Sequence, residues 1–366
     1  MKLDLIRIWS LGIFLCSALT FTAGCGGSNP KVQNEPTNSS VSKPDLSRCT
    51  PASQASFLAV GDIMLSRGVQ RAIDRAGTSL LPFSELTELF GSTDFNFGNF
   101  ESPISGNDQH LGHDLIFNTR RKDVEGLNKY NFKIVQLANN HAMDQGENGM
   151  RFTREYLTSR GILHVGTGDT KDQAWQPQII TANGIRIAFL AASYASVNDG
   201  GVTTKPFVAR IEDLDYMRRA ISQLKSESDI IVVAMHAGIE YTRQPHRPQV
   251  DFAHAAIDAG ADMVIGAHPH WIQTIETYKE RYIFYSLGNF IFDQRKPDTI
   301  QGLTLRIKIG RDTCPGPDQA RIYVDQVELL PVVLERLGIP RRATQAESTA
   351  ILKKIGVDTP ILRSKI

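Results

Sequence analysis

The sequence has little cysteine and no excess of charge of either sign. Only four of its 366 residues are cysteines, too few for a disulfide-rich scaffold. Its 40 lysines and arginines balance 39 aspartates and glutamates, whereas a dedicated nucleic-acid-binding protein usually carries a basic excess. The sequence also lacks a Gly-x-Ser-x-Gly nucleophile elbow, a P-loop and a dinucleotide fingerprint. We therefore predict no nucleic-acid partner and no ligase activity driven directly by ATP.

An apolar run near the N-terminus, from Ile8 to about Phe21, is short for a transmembrane helix and typical of a signal peptide. It ends in Thr22-Ala23-Gly24-Cys25, which resembles a bacterial lipobox although Thr22 stands where Leu is usual. We predict a lipoprotein-type signal peptide over residues 1–25, with lipidation at Cys25. The protein would then be exported and anchored at the periplasmic or extracellular face of a membrane. Plain secretion and an uncleaved anchor are the alternatives.

Residues 26–52 are rich in Gly, Ser, Asn and Pro and cannot bury a core. We predict a disordered linker there, a folded domain over residues 53–335 and a C-terminal extension over 336–366. Once the signal peptide is removed and Cys25 carries lipid, Cys49 and Cys314 are left. An oxidising compartment would permit a disulfide between them, and two unpaired thiols are the alternative.

Short apolar, β-branched runs alternate with helical patterns through the folded part. Near-continuous apolar strands joined by helices indicate a sheet that is buried on both faces. Asn183-Gly184 between two apolar runs is a strong hairpin signal. We therefore predict an α/β fold, an α/β/α sandwich with one or two mixed sheets. The predicted strands are 56–60, 133–138, 179–181, 185–191, 229–235, 262–265, 282–286, 304–309 and 322–330; the predicted helices are 66–76, 146–160, 248–259, 271–277 and 345–355.

Polar residues follow four of these apolar runs and a fifth run over residues 94–99. Because ligands bind at the carboxyl ends of strands in open α/β sheets, these side chains should converge at one edge. Pro269 favours an extended His-x-His segment, in which both imidazoles point the same way. Carboxylate, amide and imidazole donors together suit Mn, Fe, Zn, Ni or Co better than Ca. The candidate metal ligands are Asp62, Glu101, Asn140, His236, His268 and His270.

The remaining histidines and two further polar residues have weaker contexts. We interpret the other histidines as surface or structural residues, except His141, which follows Asn139-Asn140. Tyr194 and Asn289 fit either a structural position or a position at the site. The histidines outside the predicted site are His110, His113, His164, His246 and His254.

Six motifs in order along the chain resemble the CapA/PgsA family of capsule and poly-γ-glutamate biosynthesis proteins. That family is related to the calcineurin-like metallophosphoesterases. The likeness runs from about Phe57 to Asp293. The motifs are Gly61-Asp62-Ile63-Met64-Leu65, Asn99-Phe100-Glu101, Leu137-Ala138-Asn139-Asn140-His141, His236-Ala237-Gly238-Ile239-Glu240-Tyr241, Gly266-Ala267-His268-Pro269-His270 and Tyr285-Ser286-Leu287-Gly288-Asn289-Phe290.

The resemblance implies a role for each motif residue. Asp62, Asn140, His236, His268 and His270 match metal ligands, Glu101 stands near the place of a bridging carboxylate, and His141 matches a residue that acts on the leaving group. Two departures matter: Met64 stands where the superfamily has His, and Glu101 with Asn99 nearby replaces the usual Asp. One or two divalent ions, Mn, Fe or Zn, are therefore expected. A single ion held by Glu101, Asn140, His236 and His268 is the alternative to a pair.

Further polar residues near these motifs suggest how a substrate would be bound. Arg67, Arg243 and Arg247 suit a phosphoester or an anionic polymer such as poly-γ-glutamate or a capsule precursor. Glu240 is a candidate general acid/base or hydrogen-bond partner of a histidine.

We predict an exported metal-binding protein of capsule or poly-γ-glutamate biosynthesis with hydrolase-like metal chemistry. The alternatives are a non-catalytic assembly or export partner of a membrane synthase, and a general phosphodiesterase or nucleotidase.

Overall fold

The computed structural model of the chain describes residues 48–109, 115–194, 207–315 and 320–363. The predicted signal peptide with Cys25, most of the predicted linker, His110 and His113 lie outside these ranges. In the described part, none of the helices combines the length and the apolar character that crossing a membrane requires.

Strands and helices alternate along the described residues. The strands are β1 Thr50–Ile63, β2 Phe95–Phe100, β3 Phe132–Gln136, β4 Leu163–Val165, β5 Gln178–Ala182, β6 Ile185–Ser193, β7 Ile230–His236, β8 Met263–Ala267, β9 Ile275–Tyr278, β10 Arg281–Phe284, β11 Asn289–Ile291, β12 Gln301–Thr313, β13 Ala320–Glu335, β14 Ile339–Arg342 and β15 Ile361–Arg363. The α-helices are α1 Arg67–Ala76, α2 Thr87–Phe90, α3 Glu125–Lys129, α4 Gly146–Ser159, α5 Lys171–Ala174, α6 Leu214–Glu227, α7 Arg247–Ala259 and α8 Gln345–Lys354.

The strands form two mixed sheets. The first has the order β14-β13-β12-β1-β2-β3-β4, with β11 beside β1 and β15 beside β13, and the second has the order β5-β6-β7-β8-β10-β9. Strands β1 to β4 run parallel to one another, as do β6, β7, β8 and β10. The carboxyl ends of each parallel set therefore lie at one edge of its sheet. The predicted α/β/α sandwich with mixed sheets is confirmed, with two sheets in its centre.

Three clusters of buried apolar side chains hold the layers together. Between the sheets, the ring of Phe189 on β6 lies 5.6 Å from Phe57 on β1 and 5.2 Å from Phe97 on β2. The other face of the first sheet packs against α1 and α4, and that of the second sheet packs against α6 and α7. Helices cover both outer faces, which explains why the parallel strands read as continuous apolar runs.

The hairpin at Asn183-Gly184 is confirmed, but one predicted helix is wrong. β5 and β6 pair antiparallel, and Asn183 and Gly184 both have positive φ, 51° and 78°, as a two-residue type I′ turn requires. No helix forms over residues 271–277, all of which are described. Residues 275–278 instead form β9, which pairs antiparallel with β10. Its β-branched and aromatic residues are those favoured in a strand.

The ends of the folded region extend beyond the predicted boundaries. β1 begins at Thr50, inside the segment predicted as linker, and pairs with β12 from its first residue. A disulfide between Cys49 and Cys314 links the start of β1 to the end of β12. The residues after 335 add β14, α8 and β15, and both strands pair with β13. The segment predicted as a C-terminal extension therefore belongs to the edge of the first sheet.

Candidate metal centre

The predicted ligands lie at the carboxyl ends of parallel strands in both sheets. From the first sheet come Asp62 near the end of β1, Glu101 just after β2, and Asn140 and His141 after β3. From the second sheet come His236 at the end of β7, and His268 and His270 after β8. All of these side chains are buried. The structure thus brings together every metal-ligand candidate that the sequence singled out.

A glycine allows the chain to approach closely beside Asp62. A Cβ atom at Gly61 would lie 1.8 Å from the carbonyl oxygen of Gly288, so no other residue fits without a shift of the backbone. The next residue, Asp62, donates its backbone N–H to that same oxygen at 3.0 Å. Gly61 therefore lets the segment before β11 pack against β1 and fixes the position of the Asp62 carboxylate.

Two buried carboxylates face the site, and Asn99 lies between them. The Asn99 Nδ2 atom donates to Asp62 Oδ1 at 2.7 Å and lies 3.3 Å from Glu101 Oε2. The other oxygens, Asp62 Oδ2 and Glu101 Oε1, are buried and accept no hydrogen bond from any described residue. Burial, together with the nearby Asp62 charge, raises the pKa of Glu101 well above its usual value. Buried polar atoms without partners are rare and call for an explanation, and a bound cation would provide one here.

Two imidazoles of the second sheet, those of His236 and His268, are neutral. Burial, reinforced by neighbouring histidines, lowers the pKa of His236 well below its usual value and that of His268 to about 3. The His236 Nε2 atom lies 2.7 Å from Asn140 Oδ1 and 3.9 Å from Glu101 Oε1. The His268 Nδ1 atom is buried without a hydrogen-bond partner among the described residues. Neutral imidazole is the form that binds a metal ion.

The His-Pro-His segment is not extended, so that prediction is wrong. His268 and His270 have positive φ values of 99° and 57°, which bend the segment at both histidines. Their rings are 6.2 Å apart and still face the site. The His270 Nδ1 atom lies 2.8 Å from Asn289 Oδ1 and 3.3 Å from Asp62 Oδ2. From the sequence, Asn289 and Tyr194 fitted either a structural position or a position at the site. Asn289 orients a site histidine, and Tyr194 lies at the site with its ring 4.6 Å from that of His268.

His141 belongs to a second hydrogen-bonded group that the sequence did not reveal. Its Nδ1 atom lies 2.8 Å from Asp144 Oδ2, which also accepts the backbone N–H of Phe117 at 2.6 Å. The Phe117 ring stacks on the imidazole at 3.9 Å. The Nε2 atom lies 3.8 Å from Glu101 Oε1. The only signal for Asp144 was its position three residues after His141.

Met64 is buried in the outer core of the first sheet, and its sulfur accepts the backbone N–H of Ser66 at 3.1 Å. It therefore packs as a core residue, and the site gains no nitrogen ligand at this position.

The predicted substrate-binding arginines are not equivalent. Arg67, whose φ is 47°, pairs with Asp293 at 2.5 Å, and its guanidinium lies over Phe117 at 4.6 Å. Arg243 pairs with Asp298 at 3.1 Å. Arg247 has an 82% exposed side chain that pairs with Asp251 at the start of α7. Only Arg67 is tied to the His141 group, through the Phe117 ring that both contact.

Glu240 lies on the exposed part of the loop after His236. It hydrogen-bonds Tyr241, and burial together with the Glu240 charge raises the pKa of that phenol to about 12. Tyr241 therefore remains a neutral hydrogen-bond donor at physiological pH. Its ring lies 6.2 Å from that of His270.

Ligand atoms of Asp62, Glu101 and His236 lie within 4.8 Å of one another, close enough to hold one metal ion. Fold and site together define an α/β protein with a buried carboxylate–imidazole cluster whose geometry could accommodate a metal ion. The chain belongs to the family described as bacterial capsule synthesis protein PGA_cap, which matches residues 56–294. The resemblance seen in the sequence motifs is thereby confirmed.

Two curated relatives carry capsule names. "PGA biosynthesis protein CapA" of Bacillus subtilis (strain 168) is 36% identical over 245 residues, which are 66% of this chain and 63% of the relative. "Capsule biosynthesis protein CapA" of Bacillus anthracis is 34% identical over 248 residues, 64% and 59% of the two chains. The chain therefore spans less than two thirds of the length of either relative. Among solved structures, a putative 5'-nucleotidase from Staphylococcus aureus is similar with a TM-score of 0.48 and 12% identity, covering 82% of this chain and 58% of that one.

Proposed function

We propose that this protein is a metal-dependent hydrolase of capsule or poly-γ-glutamate synthesis. The observation that carries the proposal is the pair of buried carboxylate oxygens, Asp62 Oδ2 and Glu101 Oε1, that accept no hydrogen bond from any described residue. Buried carboxylates of this kind need a cation or a proton to compensate their charge. Neutral imidazoles beside them favour a transition metal over calcium.

The residues present fit Mn, Fe or Zn. Asp62, Glu101, Asn140 and His236 would hold the ion, with His268 and His270 adjoining. Such an ion acts as a Lewis acid toward a phosphoryl or acyl oxygen.

His141 supplies proton transfer in this proposal. Asp144 accepts a hydrogen bond from its Nδ1 atom, so Nε2 is the atom that takes up or releases a proton at the site. Stacking on Phe117 holds the ring in that orientation. His141 would assist departure of the leaving group from a phosphoester or amide bond. Arg67, positioned by Asp293, is the arginine best placed to attract an anionic substrate.

The names of the Bacillus relatives support a setting in polymer synthesis. We propose that the protein is exported, anchored through lipid at Cys25, and works beside a membrane synthase on an anionic polymer or its precursor. A Cys25→Ser variant should move from the membrane fraction to the soluble fraction and lose labelling by a radioactive fatty acid. Retention in the membrane without label would contradict the lipid anchor.

The test of the hydrolase proposal begins with metal stoichiometry on the purified full-length chain. We expect bound transition metal in the wild type and none in a His236→Ala/His268→Ala variant. A His246→Ala/His254→Ala variant is the matched control, because it removes two histidines outside the site. Absence of metal from the reconstituted wild type would overturn the proposal.

The metal-loaded chain would next be screened against phosphomonoesters, phosphodiesters, nucleotides and γ-glutamyl oligomers. Turnover of nucleotides alone would favour a general nucleotidase over a polymer enzyme.

A non-catalytic assembly role is the second candidate. The exposed apolar side chains of Leu115 and Ile239 lie on the segments that carry Phe117 and His236, so a partner could dock beside the site. If His141→Ala lost no polymer production in cells while Ile239→Asp abolished it, the assembly role would be favoured over hydrolysis.

A further inference from the structure

We infer that the site holds one divalent ion per chain, and that Asn99 is the residue that excludes a second. This inference rests on the proposed metal site and concerns how many ions it accepts. Asn99 is fully enclosed between Asp62, Glu101 and His236, with its Nδ2 atom 2.7 Å, 3.3 Å and 3.1 Å from Asp62 Oδ1, Glu101 Oε2 and His236 Nδ1.

The orientation of the Asn99 amide follows from a chain of hydrogen bonds that starts at the backbone. The backbone N–H of His141 donates to Asn139 Oδ1 at 3.1 Å, which identifies the oxygen of that side chain. Asn139 Nδ2 must then donate, and it does so to the Phe100 carbonyl at 3.0 Å and to Asn99 Oδ1 at 3.3 Å. Asn99 therefore turns its oxygen toward Asn139 and its NH₂ group toward the carboxylates. The reverse orientation would place two oxygens 2.7 Å apart and two NH₂ groups against each other.

An NH₂ group in this place cannot act as a ligand. It has two hydrogens and no available lone pair, so it acts only as a donor. One hydrogen goes to Asp62 Oδ1 at 2.7 Å, and Glu101 Oε2 and His236 Nδ1 compete for the other. Each carboxylate then has a single oxygen left, Asp62 Oδ2 and Glu101 Oε1, and these are the two buried oxygens without hydrogen bonds. Asn99 therefore contributes no ligand atom at the position that it occupies between the two carboxylates.

Charge balance leads to the same conclusion. When both carboxylates are ionised, as binding of a cation requires, they carry two negative charges, which one divalent ion neutralises. A second divalent ion close by would repel the first about four times as strongly as two unit charges do at that distance. Binuclear sites place their ions about 3.5–4 Å apart, and negative charge close to both ions offsets this repulsion. The position between Asp62 and Glu101 holds a neutral amide instead.

The hydrogen bonds of His270 show which of its two nitrogens could bind an ion. Asn289 Nδ2 donates to the Thr299 carbonyl at 2.9 Å, so Asn289 Oδ1 faces His270 as an acceptor. The His270 Nδ1 atom therefore carries a hydrogen, which points at Asn289 Oδ1 and lies near Asp62 Oδ2. The Nδ1 atom is therefore not available to bind an ion, and only Nε2 of His270 remains as a possible metal ligand.

The test is the number of manganese ions bound by the full-length chain and by an Asn99→Asp variant. After reconstitution with Mn²⁺ and removal of excess metal, elemental analysis gives the stoichiometry. Electron paramagnetic resonance separates isolated ions from spin-coupled pairs. We expect one isolated Mn²⁺ per wild-type chain. We expect two per Asn99→Asp chain with a coupled spectrum, because Asp supplies the missing shared anion. Asn128→Asp is the matched control, because it adds the same charge at an exposed position.

Each result has a distinct meaning. Two coupled ions in the wild type would overturn this inference and leave the proposed metal site intact. One ion in both proteins would overturn the role of Asn99. No ion in either protein would overturn the proposed function itself. If Asn99→Asp fails to fold, Asn99→Ala removes the NH₂ group without adding an anion and should still bind one ion; two ions in that variant would contradict the charge argument.

Discussion

The first sheet brings two carboxylates, four asparagines and His141 to the site, whereas the second sheet brings His236, His268 and His270. All of the negative charge therefore comes from one sheet, and it is buried where charge is costly. The same burial holds His236 and His268 neutral, so these two carry no charge to compensate. The buried carboxylates of the first sheet require a cation to compensate their charge. The nitrogen donors of the second sheet favour a transition metal ion. The site is complete only when the two sheets are packed together.

Removing the carboxylates should have the largest effect on metal binding. We expect an Asp62→Asn/Glu101→Gln variant to bind Mn²⁺ at least about 1,000-fold more weakly, or about 4 kcal/mol, because no negative charge remains at the site. A His268→Ala variant should lose less, about 10- to 100-fold, since one neutral donor is replaceable by water. Isothermal titration with Mn²⁺ measures both. Equal losses of affinity in the two variants would contradict the view that the first sheet supplies the negative charge and the second sheet supplies neutral donors.

Reducing the disulfide should weaken the first sheet without changing the metal site. The Cys49–Cys314 bridge joins two residues with a sequence separation of 265. It lies at the start of β1, whereas Asp62 lies near the other end of that strand. A Cys49→Ser/Cys314→Ser variant should lose about 2–5 kcal/mol of unfolding free energy, as is usual for a native disulfide. Denaturation in urea measures that loss, and Mn²⁺ affinity should remain within about twofold of the wild type, a difference of less than about 0.5 kcal/mol. A large fall in affinity would mean that the outer end of β1 controls the site.

When the metal is removed, a substitution in the first sheet and one in the second should change the free energy of unfolding in opposite directions. In excess chelator, Glu101→Gln should raise the unfolding free energy by about 1–3 kcal/mol, because a neutral isostere replaces a buried carboxyl beside Asp62. His236→Ala should lower it by a similar amount, because it leaves a cavity. Urea denaturation of both variants beside the wild type gives the two signs. If Glu101→Gln were destabilising in chelator, the carboxylate would be satisfied by the protein alone.

The sequence predicted which residues meet but not how they are oriented. Polar residues after apolar strands identified Asp62, Glu101 and His236, because the carboxyl ends of parallel strands share an edge. That rule is local to each strand, so it could not predict that the ligands are divided between two packed sheets. The roles of Asn99 and Asn289 depend on hydrogen bonds that run between strands far apart in sequence. The bend at His268 and His270 also escaped prediction, because it needs positive φ at two residues that usually avoid it.

The smallest predicted effect concerns His164, a histidine of the first sheet that lies outside the site. It also serves as a control for the neutral histidines of the second sheet. His164 on β4 is largely buried, its Nδ1 atom has no hydrogen-bond partner among the described residues, and burial lowers its pKa to about 4, with a contribution from Arg154. The ordinary pKa of this group is 6.5.

Above pH 6.5 the imidazole of His164 is neutral in both the folded and the unfolded chain and contributes nothing to the pH dependence of stability. As the pH falls from 6.5 toward 4, the unfolded chain binds the proton first, so the free energy of unfolding decreases by about 1–2 kcal/mol. A His164→Gln variant should lose this part of the pH dependence, measured by urea denaturation between pH 4 and pH 7 in chelator, while its Mn²⁺ affinity at pH 7 stays unchanged. An unaltered pH profile would assign the acid sensitivity to the site histidines of the second sheet instead.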